Sequence, residues 1–89
     1  MTGKHTTHPE IIKRLKRAQG HLKGVVAMLE EDRECLDIAQ QLQAVESAIV
    51  NAKKTLIRDH IDHCLEAAMK KGADSGATVR EFKEISKYL

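Results

Sequence analysis

The sequence predicts an all-α protein with three helices in one domain that spans residues 1–89. Two long stretches repeat apolar residues at alternating spacings of three and four, which is the heptad pattern of packed helices. Neither glycine nor proline occurs between Asp32 and Gly72, so nothing interrupts the second stretch. With 89 residues, of which 42% are hydrophobic and 31% are charged, the chain is typical of a single ordered core.

The first helix is predicted from about residue 9 to residue 30. Thr7 and Glu10 have the spacing of a capping box, and Pro9 suits the first turn of a helix. We expect residues 1–8 to form a flexible N-terminal segment. The apolar positions of this helix follow one heptad seam, made of Ile11, Leu15, Ala18, Leu22, Val25 and Leu29.

The second helix is predicted from about residue 33 to residue 69, with Asp32 as its N-cap. A helix of this length extends roughly 50 Å, which is about twice the diameter expected of a globule of this size. Its seam continues the heptad pattern through Cys35, Ile38, Leu42, Val45, Ile49, Ala52 and Leu56.

A short third helix is predicted from about residue 78 to residue 88, after a polar loop over residues 70–76. Its apolar face consists of Val79, Phe82 and Ile85. Because the first and third helices can cover only parts of the long second helix, we expect that helix to pack antiparallel against its own symmetry mate. The prediction is a homodimer built as an antiparallel four-helix bundle, and the alternative is a monomeric three-helix bundle with a bent second helix.

The composition argues against an enzyme and against a membrane protein. The only aromatic residues are Phe82 and Tyr88, which leaves little from which to line a substrate pocket. The longest apolar run, Val25–Leu29, is far shorter than the roughly 20 residues that span a bilayer, and the N-terminal segment is polar. We therefore expect a cytoplasmic protein with no membrane association, no small-molecule substrate and no structural disulfide.

Two cysteines and one histidine are candidate metal ligands. His60 and Cys64 are four residues apart and share one face of the second helix. Cys35 lies roughly 37 Å before His60 along a continuous helix and cannot join them within one chain. If two such helices pair antiparallel about a two-fold axis near Ala48 or Ile49, Cys35 of one chain falls opposite the segment between His60 and Cys64 of the other. The site would then form between subunits, twice per dimer.

This donor set favours a soft metal ion. Two thiolates and one imidazole suit copper in its cuprous state, Cu(I). A fourth nitrogen ligand would move the preference towards Ni(II), Co(II) or zinc, and the candidates for it are His5, His8 and His63. Taken singly, a cysteine on a heptad seam is more often a small buried hydrophobic residue than a ligand, so the metal site depends on all three side chains converging.

Positive charge is concentrated near the N-terminus. Residues 4–23 carry six basic side chains and one acidic one, a net charge of +5, whereas the remaining 69 residues sum to −3. A basic helix that is repeated in a symmetric oligomer can contact enough phosphates for salt-dependent DNA binding, although such a helix is usually only a solvated surface. The candidate DNA contacts are Lys13, Arg14, Lys16, Arg17, Lys53 and Lys54.

Several segments resemble the copper-sensitive operon repressor family, whose relatives include nickel/cobalt-responsive, formaldehyde-responsive and persulfide-sensing repressors. The matching segments are IKRLKRAQGHL at 12–22, Met28–Glu30 followed by Cys35, QQLQAV at 40–45 and DHIDHC at 59–64. The resemblance covers nearly the whole chain. It implies a single metal-sensing repressor domain, an all-α dimer of antiparallel helix pairs, and assembly of two dimers into a flat tetramer.

The resemblance also assigns residues. Cys35, His60 and Cys64 occupy the positions of the Cys-His-Cys triad of the family's copper branch, and Arg14 matches a DNA-binding position of the family. The nickel/cobalt branch has histidine where this chain has Cys64, and the persulfide-sensing branch lacks the histidine found here.

Three positions depart from patterns within the family. The formaldehyde branch is associated with proline at position 2, where this chain has Thr2. Glu34 stands where the copper branch often has tyrosine, and Asn51 stands where some relatives have a basic residue that contributes to DNA binding.

The sequence thus predicts a transcriptional repressor that binds operator DNA and releases it when Cu(I) binds between subunits. One alternative is a repressor responsive to Ni(II) or Co(II) through His5 or His8, or to formaldehyde or another electrophile through Cys35. Another is a copper chaperone or storage protein that does not bind DNA.

Overall fold

A computed structural model of the chain describes residues 7–71 and 75–89. It contains three helices, α1 over His8–Glu30, α2 over Cys35–Lys71 and α3 over Ser75–Ser86. The described residues contain no strand, which confirms the predicted all-α class with one long central helix.

The heptad pattern produces an antiparallel hairpin of α1 and α2. Where the two helices pack, every seventh residue of each is buried, and these residues form the buried row: Ile11, Ala18, Val25, Ile38, Val45 and Ala52. Within this row Val25, Ile38 and Val45 pack into one cluster, against which Met28 lies half-buried. Burial of such side chains is worth roughly 1.5–3 kcal/mol each, so this row stabilises the hairpin.

The other half of each predicted seam stays uncovered within the chain. These side chains are between 39% and 56% exposed, and they form the uncovered row: Leu15, Leu22, Leu29, Leu42, Ile49 and Leu56. Successive residues of an α-helix advance by about 100°, so in both helices the uncovered row lies on the same side of the buried row. The hairpin therefore presents one continuous apolar side.

The turn between α1 and α2 corrects the predicted role of Asp32. The backbone N–H of Arg33 donates to the Met28 carbonyl at 3.0 Å and that of Asp32 donates to the Leu29 carbonyl at 3.2 Å, which is a Schellman ending of α1. Asp32 has a φ of 56°, in the left-handed region, so it ends α1 instead of capping α2. Glu34, whose carbonyl accepts the Ile38 N–H at 3.1 Å, takes the capping position immediately before Cys35.

The start of α1 differs from the prediction in two ways. The Thr7 carbonyl accepts the Ile11 N–H at 2.9 Å, as expected of an N-cap, but the Thr7 side chain makes no capping hydrogen bond. The predicted capping box is therefore wrong: Thr7 has helical torsions, φ −85° and ψ −14°, instead of the extended ones that aim a hydroxyl at the next turn. His8 is already helical, so the predicted flexible segment over residues 1–8 is too long, and His5 lies outside the described residues.

The predicted loop before the third helix is also too long. α2 continues to Lys71, and α3 begins at Ser75 with Gly76 in its first turn, where backbone N–H groups need no partner from the preceding turn. The rest of that loop, residues 72–74, lies outside the described residues. At the other end, α3 stops at Ser86 instead of 88, because the last N–H groups bond back only three residues, as Tyr88 does to Ile85 at 3.1 Å.

The three helices together form an elongated body. Its radius of gyration is 18.0 Å, compared with about 12 Å for a compact domain of this length. Within the described part of the chain, α1 and α3 each pack on α2 and not on each other. No described helix combines the length and the apolar character that a membrane crossing requires.

Candidate metal centre and basic groove

α2 and α3 bring a histidine, a cysteine and a glutamate together. The ligand atoms of His60, Cys64 and Glu81 all lie within 4.8 Å of one another, and His60 Nε2 is 3.0 Å from Glu81 Oε2. Among the described residues this is the one cluster of three or more such side chains with metal-binding spacing. Cys64 is only 7% exposed, His60 is half-buried and Glu81 reaches in from the surface.

The environment of Cys64 keeps its thiol protonated. Burial raises the pKa of Cys64 above its ordinary value of 9.0, and the nearby negative charge of Glu81 raises that pKa further. Only the thiolate is a good metal ligand, so a metal that binds here must displace the proton. A soft cation that bonds strongly to sulfur gains most from that exchange.

Glu81 also orients His60. A carboxylate 3.0 Å from Nε2 favours the tautomer that carries its proton on that nitrogen. The lone pair is then on Nδ1. This is the arrangement in which a carboxylate that does not itself bind the metal supports a metal-binding histidine. Sequence reasoning missed Glu81, since it belongs to another helix and only the docking of α3 on α2 brings it to the site.

Cys35 lies far from this cluster, at the first turn of α2, and is exposed. It shares a heptad position with Leu42, Ile49 and Leu56 of the uncovered row. His60 and Cys64 lie on nearly the same side of α2, by the rotation of about 100° per residue. The chain therefore carries Cys35 and the cluster at opposite ends of the side of α2 that bears the uncovered row.

The remaining predicted ligands are outside the cluster. His63 Nε2 lies 3.9 Å from Asp59 Oδ1, one turn earlier on α2. His8 is the first residue of α1 and is half-buried, while His5 is not among the described residues. Within the chain, His60 and Cys64 are thus the predicted ligands that come together.

Replacing Glu81 with glutamine should lower the pKa of Cys64, because it removes the negative charge and leaves the burial. Alkylation of Cys64 by iodoacetamide, followed against pH in a Cys35→Ser background, should reach its midpoint at a lower pH than with Glu81 present. The Glu84→Gln variant is a matched control, because Glu84 pairs with Lys87 at 3.2 Å on α3, outside the cluster. An unchanged or higher midpoint in Glu81→Gln would contradict the electrostatic role of Glu81.

The predicted basic residues are divided between two sides of the hairpin. A groove of about 240 Å³ runs between α1 and α2 on the side opposite the uncovered row, and we call it the basic groove; it is lined by Arg14, Arg17, Ala18, His21, Ala48 and Asn51. Lys16 lines a different depression of α1, together with Lys23 and the apolar side chains Leu22 and Val26. Lys13, Lys53 and Lys54 are exposed.

The chain is a helical rod. It has a thiol and imidazole cluster at one end of its apolar side and a basic groove on its other side. These features define a class of protein: helical regulators that couple metal binding to DNA binding. The chain belongs to the metal-sensitive transcriptional repressor family, whose profile matches residues 7–88. The resemblance to copper-sensitive repressors is thereby confirmed, and a repressor of this family is not an enzyme.

Curated relatives include copper-sensing repressors. The copper-sensing transcriptional repressor CsoR of Bacillus subtilis is 38% identical over 78 residues, which cover 88% of this chain and 76% of that protein. CsoR of Mycobacterium ulcerans is 39% identical over 66 residues, covering 74% of this chain and 56% of that protein. The chain therefore spans only a little more than half the length of the second relative.

Two solved structures have the same fold. The nickel-responsive transcriptional regulator InrS matches with a TM-score of 0.85 at 27% identity, over 100% of both chains. The copper-sensing repressor CsoR with Cu(I) from Geobacillus thermodenitrificans matches with a TM-score of 0.79 at 31% identity, over 98% of this chain and 90% of that one.

Proposed function

We propose that this repressor senses Cu(I) at a site shared by two subunits, in which Cys35 of one chain joins His60 and Cys64 of the other. The observation that carries the proposal is the placement of Cys35 and the His60–Cys64 cluster at opposite ends of the side of α2 that bears the uncovered row. Two copies of α2 that pair antiparallel along this side cover their apolar residues and complete two sites at once.

The register of this pairing follows from the chain. A two-fold axis between Ala48 and Ile49 places residue 35 opposite residue 62 of the partner, between His60 and Cys64. Ile49, 45% exposed, would then lie beside the axis and become buried. An isolated rod with this apolar side is a poor soluble monomer, because a contiguous exposed apolar surface marks an interaction site. A homodimer is the smallest assembly that completes the site, and a tetramer of two dimers is compatible with it.

The donor set supports Cu(I) as the effector. Two thiolates and one imidazole make a soft, three-coordinate set of the kind that suits cuprous ion, and the burial of Cys64 keeps water away from it. Curated relatives in sequence include copper-sensing repressors, and a CsoR solved with Cu(I) has the same fold. Glu81 would support His60 instead of ligating the metal.

A second candidate effector is Ni(II) or Co(II), and the position of His8 favours it. α1 runs antiparallel to α2 from the turn at residues 31–34, so its first residue lies beside α2 near residue 57, roughly one turn from His60. A nitrogen ligand added there would make the four-coordinate set that nickel accepts. The similarity to the nickel-responsive regulator InrS supports this alternative, and His5 is the other histidine that could serve.

The metal can act on DNA only through a difference in affinity between two arrangements of the subunits. A metal ion held by Cys35 of one chain and by His60 and Cys64 of the other would fix the pairing of the two α2 helices. α1 would move with α2, because the buried row packs the two helices together. If that pairing misaligns the basic grooves, operator affinity falls, and by linkage DNA weakens metal binding by the same factor.

The test is an anaerobic titration of the reduced protein with Cu(I) and, separately, with Ni(II). The readout is the fluorescence anisotropy of a labelled duplex from the protein's own upstream promoter region. We expect release at about one Cu(I) per chain, with Ni(II) inert. If Ni(II) alone releases the DNA, and a His8→Ala variant loses this response, Ni(II) replaces Cu(I) as the effector. Tight DNA binding that neither metal changes would contradict both the Cu(I) and the Ni(II) proposals.

We expect DNA to contact the basic groove and not the depression around Lys16. The Lys16 depression shares Leu22 with the uncovered row, so the partner subunit takes that side. Arg17→Gln should therefore weaken duplex binding by roughly tenfold near 0.1 M salt and reduce the salt dependence by about one phosphate contact per chain. Lys16→Gln removes the same charge and should stay within about twofold of the parent protein. Equal losses in the two variants would place the DNA elsewhere.

A further inference from the structure

We infer that the basic groove binds one phosphodiester group of the operator per chain, and that His21 is a proton-dependent contact to it. The inference rests on the proposed use of this groove for DNA and adds a residue and a pH dependence to it. Neither composition nor helix periodicity points to His21, which sequence reasoning left among the solvent-exposed polar residues.

The groove has the form of an oxyanion site. Its floor contains two alanines, Ala18 and Ala48, whose small side chains leave open the channel between the helices. Its walls supply hydrogen-bond donors, from Arg14, Arg17 and His21 of α1 and from the Asn51 amide of α2. The guanidinium groups suit the phosphate geometry, because they can donate two parallel hydrogen bonds to one oxyanion.

The described residues that line the groove include no carboxylate that would compete with a phosphate. Arg14 pairs with Glu10, whose Oε2 is 3.5 Å from Arg14 Nε, and both side chains are about half exposed. Such a surface ion pair is worth at most about 1 kcal/mol, so a phosphate can displace it. From α2, the groups that face His21 are the neutral amides of Gln41 and Asn51.

His21 is held in place by α2. Its Nε2 lies 2.6 Å from Gln41 Oε1, and an amide oxygen only accepts hydrogen bonds, so Nε2 carries the proton. The lone pair of the neutral ring is then on Nδ1. When both nitrogens are protonated the ring adds a positive charge to the groove beside Arg14 and Arg17, and a phosphate in the groove favours that charged form.

Proton uptake and DNA binding are therefore linked. A phosphate that favours protonated His21 makes the operator complex take up a proton, so operator affinity rises as the pH falls. The groove lies on the side of the hairpin opposite the uncovered row and Cys35. The pH effect should consequently persist in metal-free protein and in a Cys35→Ser variant.

The experiment measures duplex affinity of the metal-free protein by anisotropy at constant salt, from pH 5.5 to pH 8.0. We expect affinity roughly five- to tenfold higher at the acidic end. A His21→Gln variant keeps a hydrogen-bonding side chain opposite Gln41 but cannot gain a charge, and its profile should be flat over that range. His63→Gln removes a histidine remote from the groove and should retain the profile of the parent protein.

The outcomes separate this inference from the proposed function. A duplex affinity with the same pH profile in His21→Gln and the parent protein overturns the role of His21, whereas no duplex binding at any pH contradicts the proposed function itself. A second arm follows the His21 Cε1–H NMR signal: we expect it to shift on adding the duplex and not on adding millimolar inorganic phosphate. Saturation by inorganic phosphate alone would make the groove a site for a free anion and overturn the assignment to DNA.

Discussion

Replacing Cys35 with serine should abolish the release of operator DNA by Cu(I) and leave metal-free DNA affinity unchanged. Cys35 is exposed and outside the buried row, so its loss costs the folded chain little. The proposed site loses one of its two thiolates, which is the ligand that the second chain supplies. The soft metal ion can then no longer link the two chains. The anisotropy titration with Cu(I) measures both quantities in one experiment.

The controls for this variant come from the same region. His63→Gln changes the residue next to Cys64 and should keep the full response, because His63 lies near Asp59 and outside the cluster. Retention of Cu(I)-driven release by Cys35→Ser would mean that the metal acts through the His60–Cys64–Glu81 cluster of a single chain. That result would remove the reason for placing the site between subunits.

Replacing Ile49 with glutamate should separate the subunits and abolish both metal response and tight DNA binding. Ile49 is 45% exposed in the chain and lies beside the proposed two-fold axis, so two carboxylates would face each other in an apolar contact. The buried row is untouched, and we expect the helical content to persist. Sedimentation should report a mass near 10.0 kDa, that of one chain.

Gln43→Glu is the matched control for this variant. It adds a carboxylate to an exposed position of α2, about a third of a turn away from the uncovered row, and should leave the oligomer intact. An Ile49→Glu protein that keeps the mass of the parent protein and still responds to Cu(I) would show that the subunits meet on another surface. In that case the antiparallel pairing of α2 would be wrong.

Heptad spacing was sufficient to predict the first helix and the long central one, but it did not say which half of each seam the chain would bury. Ala18 and Leu22 both fit the seam, yet Ala18 is 5% exposed and Leu22 is 42% exposed. The difference arises because a two-helix contact is narrow and takes one position in seven from each helix. The residues of the uncovered row can be buried only against a surface outside the α1–α2 hairpin, and the single chain does not supply one.

The errors at the helix ends have a common cause, since capping depends on backbone torsions that residue identity does not fix. Thr7 and Asp32 are both good N-cap residues by type, but Thr7 takes helical torsions and Asp32 takes a left-handed one. Glu81 was missed for a different reason. Its proximity to His60 arises from tertiary packing of α3 on α2, and no local sequence pattern connects the two.

The central claim, a Cu(I) site shared by two chains, is tested most directly by mixing two inactive variants. Cys35→Ser and Cys64→Ser homodimers each lack one thiolate at both sites. A mixed dimer contains one intact site, because the Cys64 of one chain meets the Cys35 of the other. Co-expressed chains, purified through two different tags, can be titrated with Cu(I) beside both homodimers. We expect about one tightly bound Cu(I) per mixed dimer and a regained DNA response, with neither in the homodimers. Mixed dimers as inert as their parents would contradict a shared site.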